Sequence, residues 1–309
     1  MFGGRPIRMI ITSIIFCMVL ICSNNCSDDS SKPPPPQTKW RAMTSGTTEN
    51  LRGVWGVSDS DIFAVGLAGT ILHYDGTDWT PMTSGTTENL LNVWGLSASD
   101  VFAVGDNGTV LHYDGADWTD LQGLDYTELW AVWGSAAADL YVDGYGSAIY
   151  HWDGAAWSTT SHGSPDFMLD LWGSAADDIF GVGSNGFIIH YDGQGWSAMT
   201  SGTSSWLHGV WGTAGDDVYA VGKEGTILEY DGAAWSAMTS GTTKHIWAVW
   251  GRSAEDVFAT GTDGLILHYS GSSWSTMRSE TISDLTGVWC AAGSYVYAVG
   301  NDGTIIVYR

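Results

Sequence analysis

A Val-Trp-Gly tripeptide, with minor variation, returns every 39 residues, its tryptophan standing at Trp55, Trp94, Trp133, Trp172, Trp211, Trp250 and Trp289. A second series, Trp40, Trp79, Trp118, Trp157, Trp196, Trp235 and Trp274, keeps the same period without an insertion. A strict period of this length marks a chain built from copies of one supersecondary unit, none of which can bury its apolar face alone. Seven periods fill positions 37–309 and account for 14 of the 18 tryptophans. Each of these recurs in every copy, so their expected place is the packing between neighbouring units, where a buried Trp is worth about 4–6 kcal/mol at most.

One period reads as four short strands, a to d: Leu51 to Gly56, Asp61 to Gly66, Thr70 to Asp75, and a more polar fourth from Asp78 to Met82 whose Pro81 suits an edge. Four strands per period is the pattern of a propeller blade. The first described unit, Lys39-Trp40-Arg41-Ala42-Met43, reads as a fourth strand without its other three, and Ile305 to Arg309 as a third strand without a fourth. The expected fold is therefore all-β: a seven-bladed β-propeller of four-stranded blades, its last blade closed by residues 39–43, a device that removes two free sheet edges.

The stretch Ala103-Val104-Gly105-Asp106-Asn107-Gly108-Thr109-Val110-Leu111, with Tyr113-Asp114-Gly115 and Trp118 after it, resembles repeats of the Asp-box and photosystem II assembly-factor propellers. The resemblance spans residues 37–309. Asp114 and Trp118 stand four apart where the usual Asp-box has five, and the Gly-His and Trp-Asp ends of WD40 repeats are absent. The resemblance implies a propeller and an exported binding or assembly role.

Residues 1–26 read as an export signal: Arg5 and Arg8 precede an apolar run from Met9 to Ile21, too short to span a bilayer as a helix. Residues 27–36 form a polar, proline-rich linker. Cys22 or Cys26 could accept a lipid in the manner of bacterial lipoproteins, although Ile21 and Asn25 precede them where a small residue is usual; the alternative is cleavage and release. The expected location is therefore the cell envelope or the exterior. With 34 Asp+Glu against 11 Lys+Arg, a net charge of −23, the chain lacks the basic patch that nucleic acid or an anionic membrane surface demands. Membrane contact is expected only through a lipid anchor, and the protein is expected to be a monomer.

The sequence offers no catalytic residues. A sialidase-like grip on a carboxylate needs three converging arginines, but Arg52, Arg252 and Arg278 fall at different phases of the repeat. His73, His112, His151, His190 and His268 share one phase, so none is a unique base, and each is expected to bond a neighbouring carboxylate or carbonyl. The Ser-Gly-Thr-Thr of 45–48 recurs as a turn. The carboxylates of the a–b and c–d turns are read as turn formers, with Ca²⁺ as the competing reading; no cofactor and no metal is expected.

Positions that packing leaves free are the ones that differ between repeats. Two residues before the Val of Val-Trp-Gly stand Arg52, Leu91, Trp130, Leu169, His208, Trp247 and Thr286; four before it stand Asn50, Asn89, Glu128, Phe167, Trp206, His245 and Asp284. The b–c turns vary as well. Both regions are expected on one face, around the mouth of the central channel, which makes Trp130, Phe167, Trp206, His208, His245 and Trp247 the candidate ligand-binding residues. Because the face differs from blade to blade, it suits one composite site for a protein partner; a lectin stacking sugars on the aromatics is the alternative.

Overall fold

In the first blade, strands a to d run Leu51–Ser58, Asp61–Gly66, Ile71–Tyr74 and Trp79–Met82, joined as consecutive antiparallel neighbours. The computed structural model describes residues 39–309 apart from 125, 126, 292 and 294, and the export segment, the linker, Cys22 and Cys26 lie outside the described residues. Six blades repeat this order, and the seventh joins Trp40–Met43 to Ile305–Tyr308, Val296–Gly300 and Leu285–Cys290. The closing pair is in register from Trp40 opposite Tyr308 to Met43 opposite Ile305. The a strands touch one another in a complete circle. The protein is a seven-bladed β-propeller.

Two series of tryptophans hold the blades together in different ways. The outer ones pack on the strand b aromatic of the preceding blade: Trp118 meets Phe63 edge-on at 6.1 Å, and Trp196, Trp235 and Trp274 meet Tyr141, Phe180 and Tyr219 in the same way at 6.1, 6.3 and 6.4 Å. The inner ones lay their rings over the glycine of the next blade's tripeptide. A Cβ on Gly95, Gly173, Gly212 or Gly251 would come within 2.5–2.8 Å of Trp55, Trp133, Trp172 or Trp211 respectively.

Trp94 and Trp250 depart from the expected packing between neighbouring sheets. Their rings face each other at 6.2 Å although their blades are three apart, so they meet across the axis. For Trp250 the cause is visible: the residue that should receive its ring is Cys290, not glycine, and the indole N–H donates to the Cys290 carbonyl instead at 3.2 Å. Trp94 donates likewise to the Gly134 carbonyl at 3.1 Å.

Strand a carries a β-bulge in every blade, between Leu51 and Gly53 in the first and at the equivalent place in the other six. The bulged residue is Arg52 or its counterpart, unpaired in the ladder and therefore free of the packing that fixes its neighbours. Just before the bulge, the carbonyl of Asn50 accepts the N–H of Leu67, tying strand a to the b–c turn. Strand b must end on glycine for this tie to form. A Cβ on Gly66, Gly105, Gly144, Gly183, Gly222, Gly261 or Gly300 would sit 1.8–2.3 Å from that carbonyl oxygen. Gly222→Ala is expected to cost about 3 kcal/mol or more in chemical denaturation, because backbone rather than a movable side chain is in the way. Gly241→Ala, at φ +73 with nothing within 4 Å of the added carbon, should cost only about 1 kcal/mol.

Candidate functional site

The bulged residues of all seven blades turn toward the axis and ring the mouth of a cavity of ≈ 390 Å³ in the central channel. Below Arg52, Leu91, Trp130, Leu169, His208, Trp247 and Thr286 comes a belt of six valines and Leu171, and below that Trp55, Trp94, Trp172 and Trp250. With Trp94 and Trp250 in contact across the axis, the channel is a well with an indole floor.

The mouth has two unlike halves. On blades 3 to 6 the aromatic side chains run as one chain: Tyr145 stacks on Phe167 at 4.8 Å, Trp130 meets Phe167 at 6.0 Å, Phe167 meets Trp206 at 6.3 Å, and Trp206 meets His208 at 6.4 Å. His208 then packs on Trp247 at 4.6 Å and Trp247 on His245 at 6.0 Å. All six residues singled out in the sequence thus fall in one continuous arc, with Tyr145 and Trp206 its most exposed members at 61% and 37%. The other half is polar. Arg52 donates to Asn301 Oδ1 at 3.4 Å, and Asn301 Nδ2 donates to Asp284 at 3.5 Å.

Within the arc the residues have different duties. In four linkers the side chain four before the Val caps the b–c turn of the preceding blade: Asn89 accepts the Ala68 N–H at 3.0 Å, Asp284 that of Asp263 at 2.9 Å, Asn50 that of Asp302 at 2.9 Å, and His245 Nδ1 that of Glu224 at 3.1 Å. His245 therefore holds the scaffold as well as lining the arc. Phe167 and Trp206 stand at the same phase without an acceptor, so these two linkers give up the cap for aromatic surface. His208, desolvated and facing His245 and Lys223, has its pKa pushed down to about 4, so its imidazole is neutral.

Two polar residues that the sequence reading passed over stand in the channel wall. The residue before the Val is small in five blades but is Asn92 in the second and Asp170 in the fourth. Asn92 Nδ2 donates to the Trp130 carbonyl at 3.1 Å and to Asp170 Oδ1 at 3.3 Å, while Asp170 Oδ2 accepts the Val210 N–H at 3.0 Å. Burial pushes the Asp170 carboxyl up to about 7 against the pull of these bonds. A third, Asp143, replaces the Val or Thr that precedes the closing glycine of strand b elsewhere and is fully buried. Its Oδ1 accepts the Gly144 N–H at 2.5 Å and its Oδ2 has no partner among the described residues. Comparing phases 53 and 65 across the repeats would have found all three.

The remaining candidates are structural. Each of the five repeated histidines bonds the Asp that opens strand b through Nε2, at 2.6–2.8 Å, as expected. The Asp of Tyr-Asp-Gly closes the c–d turn: Asp75 Oδ1 accepts the N–H groups of Thr77 and Asp78, which hold its carboxyl below the ordinary range. Arg252 pairs with Asp256 at 2.7 Å, and Arg278 with Glu280 at 3.1 Å on the open surface, so neither converges on Arg52. Cys290 is buried and its thiol pushed up to about 12, which leaves it unreactive at neutral pH. Among the described residues no three His, Cys, Asp or Glu side chains gather as a metal cluster.

No family model and no curated protein matches the chain. Solved structures do match in fold. YCF48 bound to D1 peptide is 17% identical with a TM-score of 0.72, covering 87% of this chain and 96% of that one. YCF48 from Cyanidioschyzon merolae is 15% identical with a TM-score of 0.71, covering 88% and 98%. The WD40 β-propeller domain of Doa1 is 12% identical with a TM-score of 0.73, covering 88% and 96%. The chain is thus similar in architecture to both groups, including the photosystem II assembly-factor propellers whose repeat its own resembles.

Asp143 makes a measurable difference. Burial pushes its carboxyl well above the ordinary carboxylate range, so the folded protein resists a charge that the unfolded chain carries freely at neutral pH. Folding is penalised at neutral pH, and the penalty fades as pH falls to the unfolded value. Asp143→Val is expected to stabilise the protein by about 1–3 kcal/mol at pH 7 in thermal melts, with the gap to wild type narrowing toward pH 4. Chelation by EDTA is expected to leave the melting temperature unchanged.

Proposed function

We propose that this is an exported, non-enzymatic binding protein that holds a protein partner on the face around the channel mouth. The observation that carries the reading is the aromatic arc from Tyr145 to His245: it stands at bulge and turn positions whose side chains differ from blade to blade, and two of its members replace useful turn caps. Large, rigid aromatic side chains around a partly desolvated depression are the usual anchors of protein interfaces. The arc covers one side of the mouth only. A single composite site of this kind suits a protein better than a sugar repeated around a ring. That the similarly folded YCF48 is known bound to D1 peptide supports a peptide or protein ligand here.

The export signal and a lipid on Cys22 or Cys26 would place the site at the envelope; the channel-mouth reading does not depend on them. A photocrosslinking residue at Tyr145 is expected to capture a protein partner in cells, whereas one at Val57, exposed on the opposite face, is not. Phe167→Ala with Trp206→Ala should abolish capture from Tyr145 while leaving the melting temperature within about 3 °C, since each is partly solvent-exposed. Equal capture from Tyr145 and Val57 would remove this face from the proposal.

A further inference from the structure

We infer that the well takes one basic side chain of the partner, a lysine-type alkylammonium that pairs with Asp170; the inference rests on the protein-partner reading above. Asp170 lines the cavity wall below the rim. Asn92 and the Val210 N–H each take one site on its two oxygens, at 3.3 and 3.0 Å, and leave further lone pairs for a donor from the well. Around it stand Trp130 and Trp247 at the rim and the valine belt and indole floor beneath. An apolar shaft with Asp170 in its wall, the second lining carboxylate Asp284 being taken up by Asn301 and the Asp263 N–H, matches an ammonium on a butyl stem: the stem packs on the walls, and the cation gains both the Asp170 carboxylate and the indole faces.

Of the other charged groups at the mouth, only Arg52 brings a positive charge to the cavity lining, three blades from Asp170. Arg52 is held on the far wall by Asn301, beside Asp284. His208 is neutral, with Lys223 and His245 behind it. The exposed turns of this face carry Glu49, Glu128, Glu224, Asp263 and Asp302, with Lys244 paired to Asp263 at 3.4 Å. Arg52, tethered to Asn301 at 3.4 Å, is the one Arg or Lys among the lining residues, and a divalent metal would find only Asp170 and Asp284, from blade 4 and the last linker, where it needs several ligands together.

Ligand titrations of the full chain, followed by tryptophan fluorescence, test the assignment with n-butylammonium, its neutral isostere n-butanol and the capped peptide acetyl-Gly-Lys-Gly-amide. Saturable binding of butylammonium and of the peptide, with butanol at least about tenfold weaker, is the expected result. Affinity should fall about tenfold from pH 8 to pH 6, as Asp170 with its carboxyl near 7 takes up a proton. Asp170→Asn should abolish the preference for the cation while keeping the fold. Butanol binding as well as butylammonium, or an unchanged preference in a folded Asp170→Asn protein, would overturn the inference. Should that variant unfold, carbon-13 NMR of the wild-type Asp170 carboxyl decides: butylammonium must lower its titration midpoint, and an unmoved midpoint overturns the site. Butylammonium binding without peptide binding would overturn the side-chain source alone. A partner captured at Tyr145 whose affinity ignores Asp170→Asn would overturn the inference and leave the proposed function standing.

Discussion

Everything in this ring depends on the seating of one blade's inner tryptophan in the next blade's glycine notch. The contact is short enough that a methyl group on Gly95 would lie 2.5 Å from Trp55. Seven wedges close a circle only if each turns through the same angle, and an indole on a bare backbone sets that angle more sharply than aliphatic packing would. The two exceptions make the floor of the well. Cys290 fills one notch, so Trp250 must place its ring elsewhere, and the axis is the space available. There it meets Trp94, whose own ring has left the notch at Gly134. One substitution in the repeat and one rearranged partner thus place two indoles against each other across the channel.

Structural and variable duties fall on different atoms of the same short segment. The carbonyl of the residue before strand a holds the b–c turn, the glycine that ends strand b makes room for it, and neither uses a side chain. The bulge then turns the next free side chain to the axis. Sequence can drift at these places without loosening the blade, and the drift is not even. Blade 3 and its junction with blade 4 hold Asp143 in place of valine, Gly146-Ser147 in place of the usual residue followed by glycine, and Trp130, Phe167 and Asp170 at the mouth. Asp143 weakens the core and Phe167 forgoes a cap. Departures from local rules that cost stability gather where a fold has been put to use.

The architecture was legible because the repeat is strict: strand order, blade number and the closure by residues 39–43 all follow from a period of 39. The grouping of Trp130, Phe167, Trp206, His208, His245 and Trp247 on one face was legible for the same reason, since repeat phase fixes position in a blade. Their order as a chain of touching rings was not, because it depends on rotamers and on the bulge. His245 read as a recognition residue, yet its Nδ1 caps a turn; only the distance to the Glu224 N–H reveals that. Asp170 and Asn92 were missed for a simpler reason. Their phase is glycine or alanine in the other blades, and a small residue draws no attention until a carboxylate appears at the same place in three dimensions.

The charge of the molecule and the chemistry of the well divide the work of recognition. A net charge of −23 spread over both faces and the rim acts at a distance and draws in any basic partner, but it is screened within about 8–10 Å at physiological salt and cannot choose among such partners. Choice belongs to groups shielded from water. Asp170 has most of its solvent removed, which makes its charge costly until a cation arrives and correspondingly strong once one does. The aromatic arc adds apolar contact that salt does not weaken. Rim charges should therefore govern how fast a partner arrives, and Asp170 with the arc how long it stays. Asp170 and Asn92, by contrast, bond each other across two blades and cannot change singly without cost.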